Sequence, residues 1–167
     1  MSTVATTFTQ TYQIQFNFHF DETQRLLRLA RALPDDVYRA ANGYSRDGIH
    51  NTFAHLLGAS QLWRNVIANR EPVFSDAEER ADIDALARLF EIERTGWLEL
   101  VATFDADALF GTVERQSPFG TVVLTIWQTL QHMILHGMAH HTELARMLTE
   151  AGQSPDDIDF LFYETSL

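Results

Sequence analysis

Seven histidines, His19, His50, His55, His132, His136, His140 and His141, are the side chains through which this 167-residue sequence could do chemistry near neutral pH. Competing chemistries are missing from the composition. There is no cysteine, which excludes a thiolate nucleophile of the chain's own, a disulfide and a cysteine-ligated zinc or iron–sulfur site. All twelve basic residues are arginine, which excludes Schiff-base catalysis through lysine.

Four of the histidines fall within ten residues. His132, His136 and His140 follow one another at i, i+4 and i+8 and form a slowly turning stripe on one helix, continued by Glu143 three residues further on. Burying such a stripe without partners is costly, because each neutral imidazole has one donor and one acceptor to satisfy. A metal ion relieves that cost by taking the acceptor nitrogens. The i, i+4 pair is the spacing by which His-Glu-x-x-His helices hold zinc. Here the residue after His136 is Gly137, so the metalloprotease base is missing, and no Glu-x-x-His occurs to suggest a di-iron carboxylate site. A solvated stripe fits poorly, since Ile126, Leu130, Met133 and Leu144 place the neighbouring turns in a core. A third ligand must come from another helix. His55, in the otherwise apolar run Phe53 to Leu57, suits that role and suits equally a hydrogen-bonded core histidine.

The elements that must position these residues are helical. The first pattern runs from about Thr7 to Leu33, before Pro34, with Leu26, Leu27, Leu29, Ala30 and Leu33 on one face. Phe16, Phe18 and Phe20 alternate as in a strand, but the continuing stripe makes helix the better reading. The second runs from Arg46 or Asp47 to Asn69, burying Ile49, Phe53, Leu56, Leu57, Leu62, Trp63 and Val66. The third starts at the capping-box spacing Ser75 to Glu78 and continues to about Phe104 through Ile83, Leu86, Leu89, Phe90, Trp97 and Val101. The fourth spans Thr125 to Ala151 and stops at Gly152, a left-handed cap. Two β-prone runs flanking Gln116 to Gly120 predict a short hairpin. The sequence thus reads as an all-α protein: a four-helix bundle, one domain over residues 1–167, with a short β-hairpin or extended linker before the last helix. The tail from Gln153 should pack as an irregular strap, because Ile158, Phe160, Leu161, Phe162 and Tyr163 are too apolar to be free.

Charge narrows the partners. A formal net charge of −11 with no basic stripe argues against nucleic acid and against an anionic membrane surface. No stretch approaches the ~20 apolar residues of a membrane-spanning helix. Without cysteine or an export signal, the expected location is the cytoplasm.

The segment Asp47-Gly-Ile-His-Asn-Thr-Phe-Ala-His55-Leu-Leu-Gly-Ala-Ser-Gln-Leu-Trp63 resembles the second helix of the DinB-like (YfiT-type) family. The segment from His132 to Gly152, followed by Ser154-Pro-Asp-Asp-Ile-Asp159, resembles its fourth. That helix reads His-x-x-x-His-x-x-x-His, often followed by Arg-Gly-Gln, with a glycine twelve residues past the last histidine. Gly152 lies twelve past His140 and fixes the register. The resemblance implies that His55, His136 and His140 are the metal ligands and that His132 is the family's upstream histidine. Where the family has Arg-Gly-Gln, this chain has His141-Thr142-Glu143, which changes the charge beside the metal. Glu143 is thereby a candidate fourth ligand or an orienter of metal-bound water.

Members of the family are four-helix bundles, often homodimers. Some use a low-molecular-weight thiol, as mycothiol-dependent isomerases and bacillithiol transferases do. The resemblance therefore implies a divalent-metal-binding protein acting on a small molecule, with zinc or nickel the best-suited ion, although imidazole ligands also take copper and iron. The first expected activity is a thiol-dependent S-transferase. A hydrolase using metal-bound hydroxide, with Glu143 or His132 as proton shuttle, is the second. A non-catalytic metal-binding or dimerisation module is the third. A cleft lined by Asn17, His19 and Asp21 would favour an enzyme. Phe8, Tyr12, Trp63, Trp97 and Trp127 are the candidate aromatics of a dimer interface.

Overall fold

Apolar residues recurring at helical spacing bring four long helices together, and in the computed structural model each helix buries one such stripe against two of the others. Residues 3–71, 81–117 and 120–163 are described, with side chains for residues 8–71, 81–116 and 120–163. The elements are α1 (Thr3–Ala30), a single turn α2 (Asp35–Tyr38), α3 (Ile49–Ile67), α4 (Ile83–Ala102), a second turn α5 (Ala106–Leu109), β1 (Thr112–Ser117), β2 (Gly120–Thr125), α6 (Ile126–Glu150) and a 3-10 turn at Phe160–Phe162. Both α1 and α3 pack on α4 and on α6, so the bundle is square, with α1 and α3 on one diagonal. The fold is therefore an all-α bundle with a short antiparallel hairpin before its last helix. The hairpin pairs Thr112 with Thr125 and Ser117 with Gly120, and rests on α3 through β1 and on α6 through β2.

Helix ends follow local chemistry. Thr125 caps α6 by accepting from Gln128 N while the Gln128 side chain accepts from Thr125 N, a full capping box. Gly152, at φ 81, ends the same helix in the left-handed region. The Ser75–Glu78 box lies outside the described residues; within them α4 begins at Ile83, with the Asp82 carboxylate accepting from Ala85 N at 2.7 Å. The second helix starts later than its pattern predicts, at Ile49, because Ser45, Asp47 and Gly48 take positive φ and cannot continue a helix. At Gly48 a β-carbon would stand 2.4 Å from the Ala40 carbonyl oxygen, so only glycine fits that entry.

The core is aromatic where α1 meets α4. Phe16 stacks on Trp97 with centroids 4.6 Å apart, and the Trp97 indole N–H donates to Ser60 Oγ at 2.8 Å. Beside it Glu93, 2% exposed, receives Arg64 at 2.6 and 2.9 Å. Removing one partner of such a buried pair costs about 3–5 kcal/mol. Phe16, Phe18 and Phe20 are all buried, and all lie on helix α1.

Two expectations about exposed aromatics are corrected. Trp97 and Tyr12 belong to the core and cannot serve an interface, whereas Phe8 and Trp127 are exposed. The tail straps only in part: Ile158 packs on the core and Phe160 and Tyr163 meet the Phe18 ring edge-on, but Leu161 and Phe162 are 80% and 78% exposed. The short 3-10 turn points them away from the bundle.

Among the described residues, no helix is long and apolar enough to cross a membrane.

Candidate metal centre

Two helices bring three imidazoles to one point. His136 and His140, one turn apart on α6, face His55 on α3 because these helices are neighbours in the square. The Nε2 atoms of His55 and His136 lie 3.1 Å apart and those of His136 and His140 3.2 Å apart; all three side chains offer ligand atoms within 4.8 Å of one another. An ion holding nitrogens at 2.0–2.1 Å in a tetrahedron sets them about 3.3–3.4 Å apart. The observed spacings are close to that edge. His140 is buried, and His55 and His136 are half-buried.

The tautomer of His140 follows from its neighbours. Its Nδ1 lies 2.6 Å from Glu143 Oε2, and a carboxylate only accepts, so Nδ1 carries the proton and Nε2 presents its lone pair to the centre. This is the carboxylate–histidine arrangement that orients ligands at metal sites. Glu143 is also bonded to Ser45 Oγ. Burial pulls its carboxyl upward, but the hydrogen bonds from Ser45 and His140 and the charge of Arg46 together hold it below the usual range. Glu143 thus stands behind His140 and outside the set of converging ligand atoms.

At neutral pH the other two rings are uncharged. Burial, then the Arg46 charge and the neighbouring His140, pushes His55 down to about 4. Burial, then the His140, His55 and His132 rings, does the same to His136. His136 Nδ1 is buried with no hydrogen-bond partner among the described residues. Without an ion, the facing nitrogens could share at most a proton. The donor set fits a divalent cation better, because a cation satisfies all three lone pairs at once.

The remaining sequence candidates fall elsewhere. His132 is exposed at the edge of the triad, its ring 5.5 Å from those of His136 and Trp63, with Arg115 a further 5.4 Å over Trp63. Asn17, His19 and Asp21 do not line a common cleft. Asn17 and Asp21 bind Arg94 of α4, and Tyr163 donates to Asp21 at 2.5 Å. His19 is buried behind α6, stacked on His141 with centroids 4.9 Å apart. Thr23 Oγ1 donates to the His19 carbonyl and lies 2.8 Å from His141 Nε2, so His141 must donate to it. Burial holds His19 down to about 4 and His141 well below its ordinary value. The position after His140 therefore brings no charge to the triad. His50 is separate, with its Nδ1 3.0 Å from the Tyr38 hydroxyl.

Sequence reasoning missed Ser45 and the packing of His19 on Gly137. The turn residues Gly43 and Asp47-Gly48 were the signal for the first. Nothing in the spacing signalled the second, because it joins two different helices.

No curated protein matches the sequence. A family model described as the DinB family matches residues 1–166. With the helical bundle and the converging histidines, that match over nearly the whole length establishes that the chain belongs to the DinB family.

Proposed function

We propose that His55, His136 and His140 hold a divalent ion, zinc or nickel by preference, and that the protein is a metal-dependent enzyme of the thiol-dependent S-transferase type. One observation carries the reading: three imidazole nitrogens converge while Glu143 fixes the proton of His140 on the far side of its ring. Bound there, the ion would lower the pKa of a thiol or a water enough to make it a nucleophile near neutral pH. The absence of cysteine supports an external thiol, since the chain has no sulfur nucleophile of its own. The three neutral ligands leave the ion's charge unreduced, and Glu143 orients His140. His132, exposed beside His136, is placed to carry a proton to or from solvent, and that position favours hydrolysis as the second reading.

Metal analysis of protein purified without a histidine tag tests the site. A screen for thiol consumption with reactive electrophiles, run beside an ester panel, tests the reaction. One ion per chain and loss of thiol are expected. Protein without metal, and with activity in neither screen, would overturn the reading.

Within the family we place the chain in the YfiT-type branch, as a one-domain cytoplasmic homodimer. Phe8 and Trp127 support a dimer face: both are exposed, and Tyr12, one turn from Phe8, bonds the Trp127 carbonyl. A concentration-independent monomer mass in light scattering would sink it.

A further inference from the structure

The turn that leads into α3 holds Asn42-Gly43, the only Asn-Gly pair of the sequence; Asn17, Asn51, Asn65 and Asn69 precede Phe18, Thr52, Val66 and Arg70. A glycine nitrogen has no side chain beside it and is the backbone nucleophile most open to an asparagine side chain. Asn42 and Gly43 are exposed, and a β-carbon at Gly43 would meet nothing within 4 Å, so water reaches the pair.

Three hydrogen bonds fix its groups. Tyr44 N donates to Asn42 Oδ1 at 3.0 Å, an Asx turn. Gly43 N donates to Asp47 Oδ1 at 2.8 Å. Asn42 Nδ2 donates to Met147 Sδ on α6 at 3.2 Å. The turn is held further by Asp47 N on the Tyr44 carbonyl at 2.9 Å and by Ser45 Oγ on Glu143. Ser45 and Asp47 take φ of 54 and 62, a costly conformation that persists only where the surroundings over-determine it.

Each of the three bonds sits on an atom that imide formation uses. The Gly43 nitrogen must lose a proton to attack the Asn42 side-chain carbon, and the Asp47 carboxylate already holds that proton, within the reach of a general base. The Asn42 side-chain oxygen must take up negative charge, and the Tyr44 N–H is aimed at it as an oxyanion donor is. The side-chain nitrogen must leave, and its partner is a thioether sulfur, a weak acceptor.

We propose that Asn42 is a site of spontaneous covalent modification, at which the folded chain deamidates its own side chain with Asp47 as the base. The Gly43 nitrogen bonds to Asn42 Cγ and gives its proton to Asp47. The Cγ–Nδ2 bond then breaks, and the nitrogen leaves as ammonia with that proton, closing a cyclic imide. Water opens the imide at either carbonyl, so that asparagine and water become aspartate or isoaspartate and ammonia. The change reaches toward the triad: either product adds a negative charge and loses the donor to Met147, and isoaspartate adds a carbon to the backbone three residues before Ser45, which bonds Glu143.

The test uses the full chain in EDTA at mildly alkaline pH, followed by tryptic peptide mass mapping for the mass gained when an amide becomes an acid. Asn42 should convert at least about tenfold faster in the native chain than in the chain unfolded in guanidinium, and faster than the other four asparagines. Asp47→Asn keeps an acceptor for Gly43 N and tolerates the left-handed backbone, but it is no base, so the initial rate at Asn42 should fall by about tenfold or more. Deamidation at the substituted position is read separately, because trypsin cuts at Arg46 between the two. A native rate equal to or below the unfolded one overturns the inference, since the fold then protects the pair. So does an unchanged rate in Asp47→Asn, which would leave the dipeptide alone as the cause.

Discussion

Gly137 offers the sharpest test of how α6 is held. A β-carbon at this position would lie 2.3 Å from Nδ1 and 2.5 Å from Cε1 of His19, and the three nearest atoms all belong to that ring. Ordinary contact is about 3.5 Å, so Gly137→Ala must drive the ring back by about 1 Å. The ring has nowhere to go. It is 3% exposed, packed edge-on against Phe20 and face-on against His141, each 4.9 Å away between centroids. Overpacking of this kind costs about 1–3 kcal/mol, and an overlap with two ring atoms belongs at the upper end. Replacing a mid-helix glycine by alanine returns about 1 kcal/mol of helix propensity. The net expectation is a loss of about 2 kcal/mol, or about 4–8 °C in Tm for a chain of this length. Thermal unfolding followed by circular dichroism, in EDTA so that metal linkage is removed, measures it. In a His19→Ala background, which itself should cost about 3 kcal/mol through the cavity it leaves, the clash partner is gone and Gly137→Ala should become stabilising by about 1 kcal/mol. A Gly137→Ala protein as stable as the parent, or the same effect in both backgrounds, would refute the reasoning.

His136→Ala and His140→Ala should each abolish tight metal binding and keep the far-ultraviolet helical signal; stoichiometric metal in either variant removes that residue from the ligand set. Glu143→Ala should weaken metal binding about 10–100-fold by releasing the His140 ring. Glu143→Gln should retain metal because its amide oxygen still accepts from Nδ1, and equal losses in the two variants, measured by competition with a chelator, would contradict that role. Metal-free protein should lose stability on acidification. His19 titrates at about 4 when folded and near its ordinary 6.5 when unfolded. The unfolded chain therefore binds a proton that the folded one refuses between those values. Stability from this group is full above about pH 6.5 and declines by about 3 kcal/mol as pH falls to 4. In urea melts, a midpoint that differs between parent and His19→Gln equally at pH 7 and pH 5 would show that His19 is not the titrating group.

Much of this architecture is legible in the sequence because its causes are local. The apolar stripes, Gly152 and the runs flanking Gln116 to Gly120 gave the helices, the stop and the hairpin, with small boundary errors except at α4, which begins at Ile83 behind the Asp82 cap and does not run unbroken from Ser75. The i, i+4 pair on α6 was legible for the same reason. His55 was not separable from a core histidine by periodicity, because its partner face belongs to a helix 81 residues away. His19 and Asp21 misled in a related way. Their polarity suggests a cleft, but Asp21 is paired with Arg94 inside the bundle, and His19 is buried against Gly137 and His141 although its Nδ1 has no hydrogen-bond partner among the described residues. Glu143 continues the stripe as a ligand would, yet a residue three positions after His140 reached the far nitrogen of that ring. Spacing places a side chain on a face without deciding which atom it meets.

The two faces of α6 explain why the site needs more than its three imidazoles. His136 and His140 point to α3, whereas Gly137 and His141, one residue further round, point to α1. An apolar back face would let the helix slide or rotate with little penalty, since ridges of leucine and methionine repack readily. A polar back face does not: the His141 bond to Thr23 at 2.8 Å exists at one register only, and His19 fits only over the missing side chain of Gly137. Because both rings are held neutral by burial, this lock places no charge behind the triad. The register of α6 is thus set from behind by α1, whereas Glu143 in front orients the His140 ring and, with Arg46, sets the charge beside it, so that register and charge can be altered by separate mutations.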